Sequence, residues 1–169
     1  MVKTLFFILI SVPEKKTVLL DSNALFLPFK FKLDVKEGLL SLLGACDILV
    51  PDFILKEIQT MIKHKVEFAK AAYTYAGRFP VLDFEKLIKE RDFDLSAAGG
   101  KRKRWRTDIA PQEHALDADS KLVITGVLLK AYVLTNDNKL KKRLRSAGVP
   151  VIYLRGIQTF ALDGQLDIL

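Results

Sequence analysis

The chain has one cysteine, Cys46, so no intramolecular disulfide can form and a stapled secreted scaffold is excluded. Its two histidines, His64 and His114, have no paired metal-ligand spacing and read as structural or exposed. No internal repeat, collagen-like period, low-complexity tract or interdomain linker occurs. The apolar run Leu5–Ile10 is far too short to span a bilayer, so no membrane role is expected.

The 169 residues suffice for one domain with a full hydrophobic core. Half of them are apolar and 28% are charged, the balance of a folded globular protein. A net charge of +7 favours an anionic partner, most often nucleic acid. The lone cysteine suits a cytoplasmic chain.

Residues 1–16 read as an N-terminal extension. Lys3 before an apolar run resembles a short signal peptide, but Pro13-Glu14-Lys15-Lys16 follows in place of a small-x-small cleavage site. An edge strand or a start codon placed too far upstream is favoured over a weak export signal. Residues 17–169 are then a single domain beginning at Thr17.

Thr17-Val18-Leu19-Leu20 suits a buried parallel strand that ends at Asp21. Asp34 caps an amphipathic stretch to Leu43, with Gly44 as its stop. Asp47-Ile48-Leu49-Val50 is a second strand. Phe53, Ile54, Ile58, Met61 and Ile62 then recur at helical spacing over Pro51 to His64. Val66 to Ala76 is helical, and Val81 to Glu90 is ambiguous between a strand and a helical turn. Asp92 to Pro111 has no clean period and reads as an exposed basic loop. His114 to Lys130 predicts a helix, Ala131 to Thr135 a strand, Asp137 to Ala147 a basic helix and Val149 to Leu154 a strand. An edge strand through Thr159–Leu162 could follow. This alternation predicts an α/β fold with a mostly parallel sheet covered on both faces. Phe26, Phe29 and Phe31, alternating with Leu27, Lys30 and Lys32, read as core cover, with a self-association patch as the second reading.

Chemistry in such a sheet gathers beyond the carboxyl ends of the strands. Asp21 and Asp137 follow strands there, Glu57 lies on the helix after the second strand, and Asp117 and Asp119 open the helix before the third. Converging carboxylates repel, and a divalent cation resolves the conflict. Carboxylates without His or Cys partners select hard ions such as Mg²⁺ or Mn²⁺. Paired ions of this kind can clamp a phosphodiester, so the chemistry suggests metal-dependent phosphoryl transfer on a polyanion.

Four segments together resemble the motifs of PIN-domain nucleases. Val18-Leu19-Leu20-Asp21-Ser22-Asn23 resembles their opening strand. Val50-Pro51-Asp52-Phe53-Ile54-Leu55-Lys56-Glu57 is similar to their second motif, and Asp119-Ser120-Lys121-Leu122 to their third. Val133-Leu134-Thr135-Asn136-Asp137 is similar to their fourth, and the segment Leu140–Leu144 through Gly148–Ile152 resembles the family's ending, especially the Fcf1-like and VapC9-like branch. The resemblance runs from Thr17 to about Leu154. It implies a PIN-like three-layer α/β/α sandwich and a Mg²⁺- or Mn²⁺-dependent endoribonuclease. It implies catalysis and metal ligation by Asp21, Glu57, Asp119 and Asp137, and in-line attack by metal-activated water on an RNA phosphodiester. Ser22 and Asn136 would orient the carboxylates. The Asp-x-x-Leu spacing favours Asp119 as the third ligand, leaving Asp117 as a cap or a secondary ligand. The resemblance also implies ribosomal RNA processing or a toxin role, with an antitoxin or ribosome-assembly partner and a homodimer.

Lys101-Arg102-Lys103-Arg104-Trp105-Arg106 reads either as a solvated loop or as an RNA-contacting element that tracks phosphates and stacks a base. Lys139, Lys141, Lys142, Arg143 and Arg145 read first as a solvated helix face. A haloacid-dehalogenase-like phosphatase would need an acid two residues after Asp21, where Asn23 stands. A non-catalytic RNA-binding module on the same fold is the alternative reading.

Overall fold

The structure, a computed structural model, describes residues 15–91 and 116–164. The basic run Lys101–Arg106 and the N-terminal apolar run lie outside the described residues. The strands are β1 (Lys16–Leu20), β2 (Cys46–Pro51), β3 (Val81–Leu82), β4 (Tyr132–Leu134), β5 (Val151–Arg155) and β6 (Thr159–Asp163). The helices described are α1 (Ser22–Phe31), α2 (Val35–Leu43), α3 (Asp52–Lys63), α4 (Ala69–Ala76), α5 (Phe84–Glu90), α6 (Ala118–Leu128) and α7 (Asn138–Ser146).

The strands form one sheet in the order β3-β2-β1-β4-β5-β6. All neighbours run parallel except β5 and β6, which pair antiparallel from Val151↔Asp163 to Arg155↔Thr159. Burial on both faces explains the apolar runs: Val18, Leu19, Leu20, Val133 and Leu134 are all fully buried. Right-handed crossovers put the helices after β1 and β2 on one face and those after β3 and β4 on the other. Packing agrees: α1 lies against α3 and α4, and α6 against α7. The result is a three-layer α/β/α fold with a central, mostly parallel sheet. No helix among the described residues is long and apolar enough to cross a membrane.

Two elements settle what the sequence reading left open. The phenylalanine-rich stretch after Asp21 is helix α1, with Pro28 inside it. Its Ala24, Leu25, Phe26 and Leu27 are buried, whereas Phe31 is exposed, and that burial outweighs the cost of the proline. The ambiguous stretch resolves into both alternatives: β3 extends the sheet by pairing Val50↔Val81, and Asp83 then caps α5.

Helix α2 packs against β6, and Gly38 permits the approach. A β-carbon there would collide with the ring of Phe160, which is buried. Gly38→Ala is expected to destabilise the fold by about 1–2 kcal/mol, overpacking outweighing the better helix propensity. An unchanged urea midpoint would show that the Phe160 ring moves aside without cost.

Candidate active site at the carboxyl ends of β1 and β4

The strand order reverses between β1 and β4, and an open α/β sheet leaves its binding crevice at such a point. The pairing Leu20↔Leu134 brings the two strand ends level. Asp21 N–H donates to the Leu134 carbonyl at 3.2 Å, which fixes the backbone of the first acid against β4.

Asp21 is only 4% exposed. Its Oδ1 accepts the Ser22 N–H at 2.7 Å, and its Oδ2 accepts the Thr135 hydroxyl at 2.7 Å. Asn23 Nδ2 approaches the same Oδ2 at 3.5 Å. Burial is the main influence on this carboxyl and raises its pKa above the usual aspartate value, with Asp119 adding to the rise and the hydrogen bonds opposing it.

Glu57, half-buried on α3, is linked to Asp21 through Ser22. The Ser22 hydroxyl lies 3.3 Å from Glu57 Oε1 and 3.5 Å from Asp21 Oδ1. Burial, then the negative charge of Asp21, pushes the Glu57 pKa up. Asp119 sits in the first turn of α6 and is also raised, by burial first, then by Asp117 and Asp137, against the opposing pull of Arg143. Among the described residues no lysine or arginine forms an ion pair with Asp21 or Glu57.

Asp117 is the N-cap of α6 and accepts the Ser120 N–H at 2.9 Å. Burial tends to raise its pKa, but bonds from Ser120 and Arg143 bring it below the usual value. Asp137 caps α7, its Oδ1 accepting from Lys139 and Leu140 N–H at 2.6 and 2.9 Å. It therefore faces its own helix end and reaches the other acids through its charge on Asp119.

The acids thus share one end of the sheet and one electrostatic field. Among the described residues, however, no three His, Cys, Asp or Glu side chains converge closely enough to hold a metal ion. Asp119 has a cationic partner: Arg143 Nη1 lies 3.3 Å from its Oδ2 and 3.2 Å from Asp117 Oδ2. The donor set itself fits a hard divalent cation: it is all carboxylate, and Asp21 and Glu57 are partly or wholly buried with no lysine or arginine paired to either among the described residues.

The ends of α3, α5 and α6 are tied together beside these acids. Asp52 Oδ1 accepts the Phe84 N–H at 3.2 Å, and the Phe53 and Phe84 rings meet edge to face at 5.5 Å. Lys121 lies over both rings, 5.9 and 5.5 Å from their centroids.

Asn136 has a contact that the motif reading did not foresee. Its Oδ1 accepts the Leu154 N–H at 2.8 Å and so ties the end of β4 to β5. Thr135, which the motif reading passed over, orients Asp21 and also accepts the Asp137 N–H at 3.1 Å. Asn136→Ala is expected to cost about 1–2 kcal/mol in a urea melt, because a partly buried N–H loses its acceptor. Metal binding should stay within about twofold, since the carboxylates keep their partners. A tenfold loss of metal affinity at unchanged stability would instead support the orienting role.

Residues 18–82 and 95–157 match the sequence model of a family described as PIN like domain. The fold is similar to that of a solved PIN domain endonuclease, Utp24, with 21% identity and a TM-score of 0.61, over 90% of this chain and 95% of that one. It is similar also to a chain of VapBC2 from Rickettsia felis, solved bound to a DNA fragment from their promoter. That likeness has 16% identity and a TM-score of 0.50, over 82% of this chain and 99% of the other. No curated protein sequence matches.

Proposed function

The chain belongs to the PIN-like domain family, and on that premise we propose that it is a divalent-cation-dependent endoribonuclease, hydrolysing RNA phosphodiester bonds at the carboxyl ends of β1 and β4. The observation that carries the reading is Asp21: a carboxylate 4% exposed, at the point where the strand order reverses, coupled to Glu57 and Asp119. Burying acids together without cations is costly, and it is tolerated where the acids have a ligand to hold. A net charge of +7 supports a polyanionic substrate.

Asp21, Glu57 and Asp119 would hold the cation, Mg²⁺ or Mn²⁺. A bound divalent cation supplies a Lewis acid at the phosphodiester and an acidified water. The chain's own groups prepare that site. Thr135 and the Ser22 N–H favour the ionised form of Asp21 and fix its rotamer. The Ser22 hydroxyl lies within reach of both Asp21 and Glu57 and can donate its one proton to either carboxylate. Asp137 adds negative charge at the rim while capping α7. Residues from 17 onward would form the single nuclease domain.

The test is incubation of single-stranded and structured RNA with purified protein in Mn²⁺, Mg²⁺ or chelator. Cleavage that requires the cation is the expected result. A folded protein that binds RNA, but neither binds Mn²⁺ nor cleaves, would instead be a non-catalytic RNA-binding module.

A further inference from the structure

We propose that Arg143 is the built-in counter-cation of the acidic site: its guanidinium pairs with Asp119, and a divalent cation must outcompete it for that carboxylate. The inference rests on the reading of Asp21, Glu57 and Asp119 as cation ligands. Arg143 reaches from α7 to the first turn of α6 and makes three contacts there. Nη1 lies between Asp117 Oδ2 at 3.2 Å and Asp119 Oδ2 at 3.3 Å, and Nη2 donates to Ser120 Oγ at 2.5 Å. Among the described residues it is the one basic side chain that forms an ion pair with any of Asp21, Glu57, Asp119 and Asp137.

A guanidinium stays charged at any pH the fold survives, so it cannot vacate Asp119 by losing a proton. It has somewhere to remain when Asp119 is taken. Asp117, fixed as the α6 cap, and Ser120 account for two of its three contacts. Giving up Asp119 therefore costs the arginine one partner and leaves its side chain anchored. Two cations sharing one carboxylate repel, so the guanidinium lowers the affinity of the site for the divalent ion. The Arg143 side chain is 35% exposed, and solvent and salt moderate that repulsion.

Three roles for Arg143 then make different predictions. A counter-cation weakens metal binding, so its removal tightens it. A residue that merely positions Asp119 strengthens metal binding, so its removal weakens it. A simple link between α6 and α7 changes stability and leaves affinity alone.

The test is calorimetric Mn²⁺ binding to the purified full chain at low ionic strength, for wild type, Arg143→Gln and Arg143→Lys, with thermal melts in chelator alongside. Arg143→Gln should melt lower in chelator and bind Mn²⁺ about tenfold tighter. Arg143→Lys keeps the charge and should stay within about threefold of wild type. If Arg143→Gln does not fold in chelator, folding restored by millimolar Mn²⁺ supports the exchange, and failure to fold in Mn²⁺ overturns it. Equal or weaker Mn²⁺ binding by folded Arg143→Gln overturns the inference alone. Absence of Mn²⁺ binding in both wild type and Arg143→Gln overturns the ligand reading as well.

Discussion

Asp21→Asn is expected to lower cation-dependent RNA cleavage by at least about a hundredfold while leaving the fold intact. The amide is isosteric, and its oxygen can accept the Ser22 N–H that now bonds Oδ1. The Thr135 hydroxyl, now a donor to Oδ2, can rotate and accept from the amide nitrogen. What disappears is the negative charge, and with it the strongest claim of the site on a divalent ion. In chelator the variant should be as stable as wild type or more stable, because a buried carboxylate facing Glu57 and Asp119 is a liability without a cation.

The pH dependence has a definite sign. Asp21, Glu57 and Asp119 have folded-state pKa values raised above the ordinary values. A group of this kind contributes stability that is fully present below its unfolded pKa and is lost as pH rises through its folded pKa. Metal-free protein should therefore gain stability as pH falls from neutral into the weakly acid range. Asp52 and Asp117 have lowered values and act oppositely, their contributions being lost only as pH falls through their depressed folded-state pKa values. Asp21→Asn should flatten the first slope and leave the second. Retained cleavage, or a loss of more than about 2 kcal/mol in a chelator melt, would remove Asp21 from the site.

Much of this architecture is legible in the sequence because buried parallel strands read as apolar runs. Val18-Leu19-Leu20 and Tyr132-Val133-Leu134 are such runs, and Asp21 and Asp137 lie just beyond their carboxyl ends. Helix α1 is not legible, since Pro28 breaks its pattern and its buried face is fixed by α3 and α4, which come later in the chain. Arg143 is hidden for another reason. It is one of five basic residues within and just after the first turns of α7, and only the packing of α6 on α7 selects it. The adjacent pair Thr135 and Asn136 is the most instructive case. The chain just past β4 runs between the ends of β1 and β5, so Thr135 meets Asp21 while Asn136 meets β5. The motif marks the pair; the pairing of β1 with β4 decides which member touches the acid.

Thr135→Val follows from that geometry and should have the second largest effect. The side chain is fully buried, and valine preserves its shape. Two hydrogen bonds vanish together: the one to Asp21 Oδ2 at 2.7 Å and the one from the Asp137 N–H at 3.1 Å. A bond to a buried carboxylate is worth about 1.5–3 kcal/mol, so a destabilisation of about 2–4 kcal/mol is expected at neutral pH. Asp21 should titrate still higher, because the hydroxyl now favours its ionised form. Cation affinity should fall by about 10–100-fold, the usual cost of losing a partner that orients a ligand. Thr135→Ser keeps the hydroxyl and should recover most of the affinity while losing about 1 kcal/mol of packing from the missing methyl. That pattern separates orientation from bulk. If serine loses as much affinity as valine, the hydroxyl alone does not suffice and the threonine methyl is needed to hold it in place. If valine binds the cation as tightly as wild type, the bond to Asp21 has no part in holding it.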